Sequence, residues 1–301
     1  MTAPAARSGG APFTVPPPRY QLPADIRLGP VRLQISDLAR SIAYYERVIG
    51  LRIIERQGQS ATLGAHDDET PIVELHERTG ATPVPRRGRL GLYHFAILLP
   101  DRAALGRFVA HLAGFDAHAG MADHLVSEAI YLSDPDGLGI EVYADRPRNE
   151  WRLQGRSIAM ATLPLDVQDL ARAGEGRPWT GAPKNTRVGH VHLHVSDLDR
   201  AGSFYHAGLG LDKVVVEFPG ALFMSAGGYH HHLGTNTWAA GALAATDGDA
   251  RLLEWTVVLP SAKDVTDAAQ SIAAAGFQTT REGTDAVTVD PWGTGVRLTT
   301  G

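Results

Sequence analysis

The residues best placed to do chemistry are histidines at alternate positions. In Gly189-His190-Val191-His192-Leu193-His194-Val195-Ser196-Asp197, imidazoles alternate with aliphatic residues. Successive side chains of a strand take opposite faces, so His190, His192 and His194 share one. A second strand-like stretch, Leu92–Pro100, carries His94, and a third, Ile140–Tyr143, carries Glu141. With no cysteine in the chain, a metal site must use imidazole and carboxylate, which suits Fe(II), Mn(II) or Zn(II). Two imidazoles and one carboxylate on one side of a metal leave the other side open. Non-haem Fe(II) oxygenases use that arrangement, and Zn(II) hydrolysis would accept the same ligands.

These residues sit on a repeated scaffold. Gly29–Leu51 aligns with Gly189–Leu211 without a gap. Each copy reads as an alternating strand, a Ser-Asp helix cap, an amphipathic helix carrying Tyr44-Tyr45 or Phe204-Tyr205, and a glycine stop at Gly50 or Gly210. A second unit follows in each half. Leu92–Pro100 leads into a helix over 102–114, then strands about 129–132 and 140–143 flank the turn Asp134-Pro135-Asp136-Gly137. Leu252–Pro260 leads into a helix over 262–276, followed by Asp290-Pro291-Trp292-Gly293 and a strand through Arg297.

The spacing predicts four strand-helix-three-strand units, in an N-terminal half over 27–147 (units 27–80 and 90–147) and a C-terminal half over 187–301 (units 187–240 and 250–301). A βαβββ unit has one apolar face and cannot stand alone, so four units should pair into two cup-shaped sheets, an α+β fold. Residues 1–26, rich in Pro, Ala and Gly, read as a flexible tail. Residues 148–186 read as an ordered connector wrapping the surface, because so long a structureless loop would be unusual.

The wider composition narrows the function. Of 301 residues, 44% are apolar and 20% charged, as in a soluble globular protein. A net charge of −5 gives no basic footprint for nucleic acid or anionic lipid. No apolar run approaches the roughly 18 residues of a membrane span, and no secretory signal is apparent, so the cytoplasm is the expected location.

The cups differ in what they offer. At equivalent positions of first and last strands, units one and four supply Pro30, Glu254 and Arg297, whereas units two and three supply His94, His190 and Glu141. In unit three, Gly228-Tyr229-His230-His231-His232-Leu233-Gly234 adds three more imidazoles. On an ideal strand His231 would face away from His230 and His232, and alternation alone does not say which parity faces a metal.

The stretches Gly189-His190-Val191-His192-Leu193, Tyr93-His94-Phe95, Gly228–Leu233 and Asp123–Glu141 resemble extradiol, catechol-2,3-dioxygenase-like ring-cleaving dioxygenases of the vicinal oxygen chelate (glyoxalase/bleomycin resistance) superfamily. The likeness runs through nearly everything after Leu28. It implies metal ligands His190, His94 and Glu141, a catalytic histidine at His231, an active-site tyrosine at Tyr131, and a supporting histidine at His124. It implies Fe(II), with Mn(II) acceptable to the same ligands, a small aromatic diol and O2 as substrates, and a homo-oligomer. The implied reaction opens the ring beside the diol to a hydroxymuconic semialdehyde, with His231 as general base and Tyr131 donating a hydrogen bond to substrate. In other two-domain members all three ligands come from units three and four. Here they come from units two and three, so the cups must pair two with three and one with four.

Rival readings are a hydroquinone ring-cleaver with the same ligands, a non-redox metal enzyme of the same fold, and a small-molecule-binding protein without chemistry. The non-redox enzyme needs a second well-placed carboxylate beside Glu141. Trp151, Trp238 and Trp255 could line an aromatic pocket or build core.

Overall fold

The structure is a computed structural model that describes residues 14–115, 119–155 and 157–301. Unit one comprises β1 (Arg27–Ile35), α1 (Leu38–Tyr44), β2 (Arg52–Gln57), β3 (Ser60–Gly64) and β4 (Pro71–Glu77). Unit two comprises β5 (Gly91–Leu98), α2 (Arg102–Leu112), β6 (Gly120–Asp123), β7 (Ser127–Ser133) and β8 (Gly139–Asp145). The connecting segment carries a two-stranded ladder, β9 (Leu153–Gln154) with β10 (Ser157–Ile158), and helix α3 (Val167–Ala173). Unit three comprises β11 (Arg187–His194), α4 (Leu198–Ala201), β12 (Asp212–Val215), β13 (Ala221–Ser225) and β14 (Leu233–Asn236). Unit four comprises β15 (Arg251–Val258), α5 (Ala262–Ala274), β16 (Thr279–Glu282), β17 (Asp285–Val289) and β18 (Gly295–Thr299).

Two eight-stranded sheets result. One runs β16-β17-β18-β15-β1-β4-β3-β2 and the other β12-β13-β14-β11-β5-β8-β7-β6. Units one and four therefore share one sheet and units two and three the other. Each is joined by an antiparallel seam, β1 on β15 and β5 on β11. Along β11 the aliphatic residues Val191 and Leu193 enter the apolar core, while the histidines between them line the concave face and are buried as well.

The repeated turns hold the sheets to each other. Tyr45, fully buried in the first helical region, points its hydroxyl at Asp134 3.4 Å away, and Ser36 donates from its backbone N–H and its hydroxyl to Asp136. In the other half, Tyr205 donates to Asp290 at 2.7 Å and the Trp292 indole to the Ser196 hydroxyl at 2.8 Å. Each half is thus closed by its Asp-Pro-x-Gly turn, although its two units lie in different sheets.

Two local expectations change. The helices expected to run unbroken to Gly50 and Gly210 widen into π-helical turns at Tyr45–Ile49 and Gly202–Gly208. This leaves Tyr45 and Tyr205 at the widened turns, in reach of the buried aspartates. Gly50 and Gly210 then stop the chain with φ of 85° and 98°, a conformation that suits glycine. Residues 14–26 are not a flexible tail: Val15 pairs with Lys213, the Leu22 N–H donates to Gly210, and Leu22 is buried. Residues 1–13 lie outside the described part. No helix among the described residues is long and apolar enough to cross a membrane.

Candidate metal centre and active site

Sheet register brings the expected ligands together. His190 on β11 lies opposite Ala96 on β5, Ala96 opposite Glu141 on β8, and Glu141 opposite Tyr131 on β7. These four residues form one row across four strands. His94 stands two residues before Ala96 on the same face. Because Ala96 is small, the His190 imidazole and the Glu141 carboxylate meet above it, Nε2 to Oε2, at 3.1 Å. His94 Nε2 is 3.0 Å from the same oxygen.

All three side chains are buried, with exposures of 4% for His94, 2% for Glu141 and 1% for His190. Burial pushes the Glu141 carboxyl up, but the imidazoles of His190 and His94 outweigh it and hold the group well below the usual carboxylate range. Burial holds His94 below the usual histidine range, against the pull of Glu141. The donor set therefore favours carboxylate plus neutral imidazole at His94, the forms a divalent metal needs. His94 Nε2 is buried and makes no hydrogen bond despite its distance from Glu141. An orphaned nitrogen aimed at a shared carboxylate oxygen fits a cation between them. Among the described residues this is the one group of three or more His, Asp and Glu whose ligand atoms converge, all within 4.8 Å.

Beside the row lies a cavity of about 420 Å³ lined by His94, Glu141, Tyr131, His124, His192 and His231. Its far wall is apolar: Met121, Met160, Phe218, Phe223 and Trp238. That volume lies within the ordinary range for small-molecule sites.

Tyr131 and His124 form a pair at the cavity wall. His124 Nδ1 is 2.6 Å from the Ala161 carbonyl, which can only accept, so Nδ1 carries a hydrogen. The other ring nitrogen, Nε2, is 2.5 Å from the Tyr131 hydroxyl. The Tyr131 hydroxyl thus stands between His124 and Glu141, beside the converging group.

The three-histidine segment also differs from expectation. Strand β14 begins only at Leu233, so His230, His231 and His232 lie on the loop before it and strand parity does not govern them. His231 lines the cavity, its ring centroid 4.1 Å from that of His190, and burial holds it well below the usual histidine range. His230 lies behind it, and the backbone N–H of Ala226 donates to His232 Nδ1. His192 and His194 are both tied to Asn236: its amide donates to His192 Nε2 at 3.0 Å and its carbonyl oxygen accepts from His194 Nδ1 at 2.8 Å. Neither joins the converging group.

Several contributors carry no sequence signal of function. Ala96 is one, since an alanine in a strand is ordinary core. Ala161 is another: the connector expected to wrap the surface places Met160, Ala161 and Thr162 in the cavity wall. Gly189 is a third, because a Cβ there would come within 1.9 Å of the Tyr143 hydroxyl. The glycine lets the Tyr143 ring lie 4.8 Å from that of His190. Of the tryptophans, Trp238 stands at the cavity, Trp255 is core, and Trp151 packs on His230.

The model of the Glyoxalase/Bleomycin resistance protein/Dioxygenase superfamily matches residues 27–142 and 187–294. The chain belongs to this superfamily. It is 43% identical over 257 residues to the catechol-2,3-dioxygenase of Bacillus subtilis strain 168, covering 84% of this chain and 90% of that one. Among solved structures, one from Bacillus subtilis strain 168, provisionally assigned as a dioxygenase, aligns with a TM-score of 0.65 at 15% identity. The alignment covers 93% of this chain and 86% of that one. Glyoxalase I from Zea mays aligns with a TM-score of 0.55 at 19% identity, covering 91% and 92%. Likeness at these identities speaks for the superfamily's fold, four modules in two curled sheets.

Proposed function

We propose that the protein is an extradiol dioxygenase that opens the ring of a catechol-type substrate with O2, using Fe(II) held by His94, His190 and Glu141. Mn(II) would satisfy the same ligands. The observation that carries this reading is the convergence of those three buried side chains beside a cavity lined by His94, Glu141, Tyr131, His124 and His231. The relative at 43% identity supports the choice of substrate class.

When bound, the metal supplies Lewis acidity towards the diol and a route for electrons between ring and dioxygen. His231, neutral and facing the cavity, takes the proton of a diol hydroxyl as general base. Tyr131, paired with His124, hydrogen-bonds the other end of the diol and orients it. Phe218, Phe223 and Trp238 provide an apolar wall that excludes water and holds a flat ring by its faces. A single aromatic ring is small beside about 420 Å³, so the site suits a catechol with an apolar substituent.

The test is anaerobic loading with Fe(II), followed by catechol or an alkylcatechol and oxygen, with absorbance followed for the yellow ring-opened product. Metal content is measured alongside in wild type, His94→Ala and Glu141→Gln. Product from wild type only, with both variants poor in metal, is the expected result. Tight metal binding without product from any diol would redirect the substrate to hydroquinones. Absence of stoichiometric metal in wild type would leave a binding protein.

A further inference from the structure

Behind His231 runs a chain of polar groups, buried at His230 and partly exposed at Asp145 and Tyr229, that the proposed reaction does not itself require. His231 Nδ1 is 2.7 Å from His230 Nδ1, and His230 Nε2 is 2.8 Å from Asp145 Oδ1. The Tyr229 hydroxyl donates to both carboxylate oxygens of Asp145, at 3.1 and 3.0 Å, and Tyr143 stands 2.7 Å behind Tyr229. His230 is completely buried and His231 nearly so. Asp145 lies at the far end, four residues beyond Glu141 on β8, and lines a separate cavity.

We infer that Asp145 and His230 are positioning residues that fix the tautomer of His231 so that its Nε2 is bare and faces the substrate cavity. The inference rests on the reading of His231 as general base. Its geometry is independent of any metal. A carboxylate can only accept, so His230 Nε2 carries the hydrogen it shares with Asp145. Taken as the one ring hydrogen of His230, it leaves a lone pair on Nδ1. Two imidazole nitrogens 2.7 Å apart need one hydrogen between them, and it must come from His231 Nδ1. A neutral His231 with its hydrogen on Nδ1 has Nε2 unprotonated, the form a general base requires. The logic is that of a carboxylate setting a catalytic imidazole's tautomer from behind, extended here by one ring. Packing supports the same arrangement. Trp151 and Tyr229 lie against the His230 ring at 5.3 and 4.1 Å between centroids, and Phe223 lies 5.0 Å from His231, so neither imidazole is free to flip.

Asp145→Asn is the informative variant because it preserves shape and can reverse the polarity. An asparagine amide donates to His230 Nε2, which moves the His230 hydrogen to Nδ1 and the His231 hydrogen to Nε2. The base becomes a donor. The direct readout is the ¹⁵N spectrum of the histidine rings in the metal-free and Zn(II)-loaded protein, with His231 assigned by its loss in His231→Gln. The expected wild-type result is a His231 protonated on Nδ1 and a His230 protonated on Nε2. In Asp145→Asn both assignments should invert. With Fe(II), kcat should fall about 10²–10⁴-fold while KM and metal content stay within about threefold. A wild-type His231 protonated on Nε2 overturns the inference, as does an Asp145→Asn protein whose tautomers and kcat are unchanged. The wild-type spectrum decides even if the variant folds poorly. Because it needs no turnover, failure of the tautomer assignment is distinguishable from failure of the dioxygenase reading.

Discussion

Ala96 shows how much of the site depends on a residue with no functional group. It lies between His190 and Glu141 in the sheet register, and its side chain is fully buried beneath their contact. A larger residue would occupy the space through which the two ligands reach each other. Ala96→Leu should therefore reduce metal stoichiometry, with affinity falling at least tenfold, while the fold survives. Isothermal titration with Mn(II) beside a circular dichroism melt would check this. Undiminished affinity would show that the ligands reach each other by another route. The same dependence on a chemically silent neighbour holds at Gly189, which makes room for Tyr143, and at Ala161, whose carbonyl sets the His124–Tyr131 pair.

At the scale of elements, the Asp-Pro-x-Gly turns act as clasps, and one of them carries a pH signature. Asp134 is buried, accepts from the backbone N–H groups of Asp136 and Leu138, and has its pKa pushed up to about 7, chiefly by burial. In an unfolded chain the group titrates near ~4, so the folded protein binds the extra proton between those values. Stability from this group is therefore present at low pH and is lost as pH rises towards about 7, above which the penalty is complete. Asp134→Asn keeps an acceptor oxygen for the two N–H groups and carries no charge. It should melt at a higher temperature than wild type at pH 8, with the gap closing towards pH 4. An equal difference at both pH values would count against a charge effect. The spacing of this turn was legible from Asp-Pro and Gly, and so was the helix ahead of its tyrosine partner. Their contact was not, because Tyr45 and Asp134 lie in different units and no local pattern records that they meet.

Across the whole molecule the two sheets share an architecture but not an interior. Where units two and three place imidazoles and one carboxylate, units one and four place Arg32, Glu74, Glu254 and Arg297. Arg297 bonds to Glu254 at 2.7 Å, to Glu282 at 2.9 Å and to Asp285 at 3.0 Å; Arg32 bonds to Glu74 at 2.9 Å. The charged side chains of this sheet pair with one another. Arg297→Met removes the nearest partner of Glu254, which keeps Arg32 at 3.4 Å, and should cost about 1–3 kcal/mol. Metal affinity in the other sheet should be unchanged, and titration of the folded variant would show whether the sheets are separable in function. Stability should remain common to both, because each half of the chain contributes to both sheets. Calorimetry of wild type should show one transition that moves upward on metal loading, and two resolved transitions would mean the sheets unfold separately.

The alternation of histidines, the repeated strand-helix units and the absence of cysteine were enough to define the number of modules and to single out His94, His190 and Glu141 as side chains that could hold a divalent metal. Those features depend on the periodicity of strands and helices and on side-chain chemistry, both of which are local. Tertiary structure alone settled how the polar groups are oriented. Alternation could not tell His230 from His231, and only the family resemblance favoured His231, because the two lie on a loop where no period applies. Asp145 acquires its place behind them from the register of β8 and the path of that loop. Ala161 reaches His124 only because the connector passes over the cavity. Each of these relations joins residues far apart in the chain through backbone geometry, which local sequence patterns do not encode.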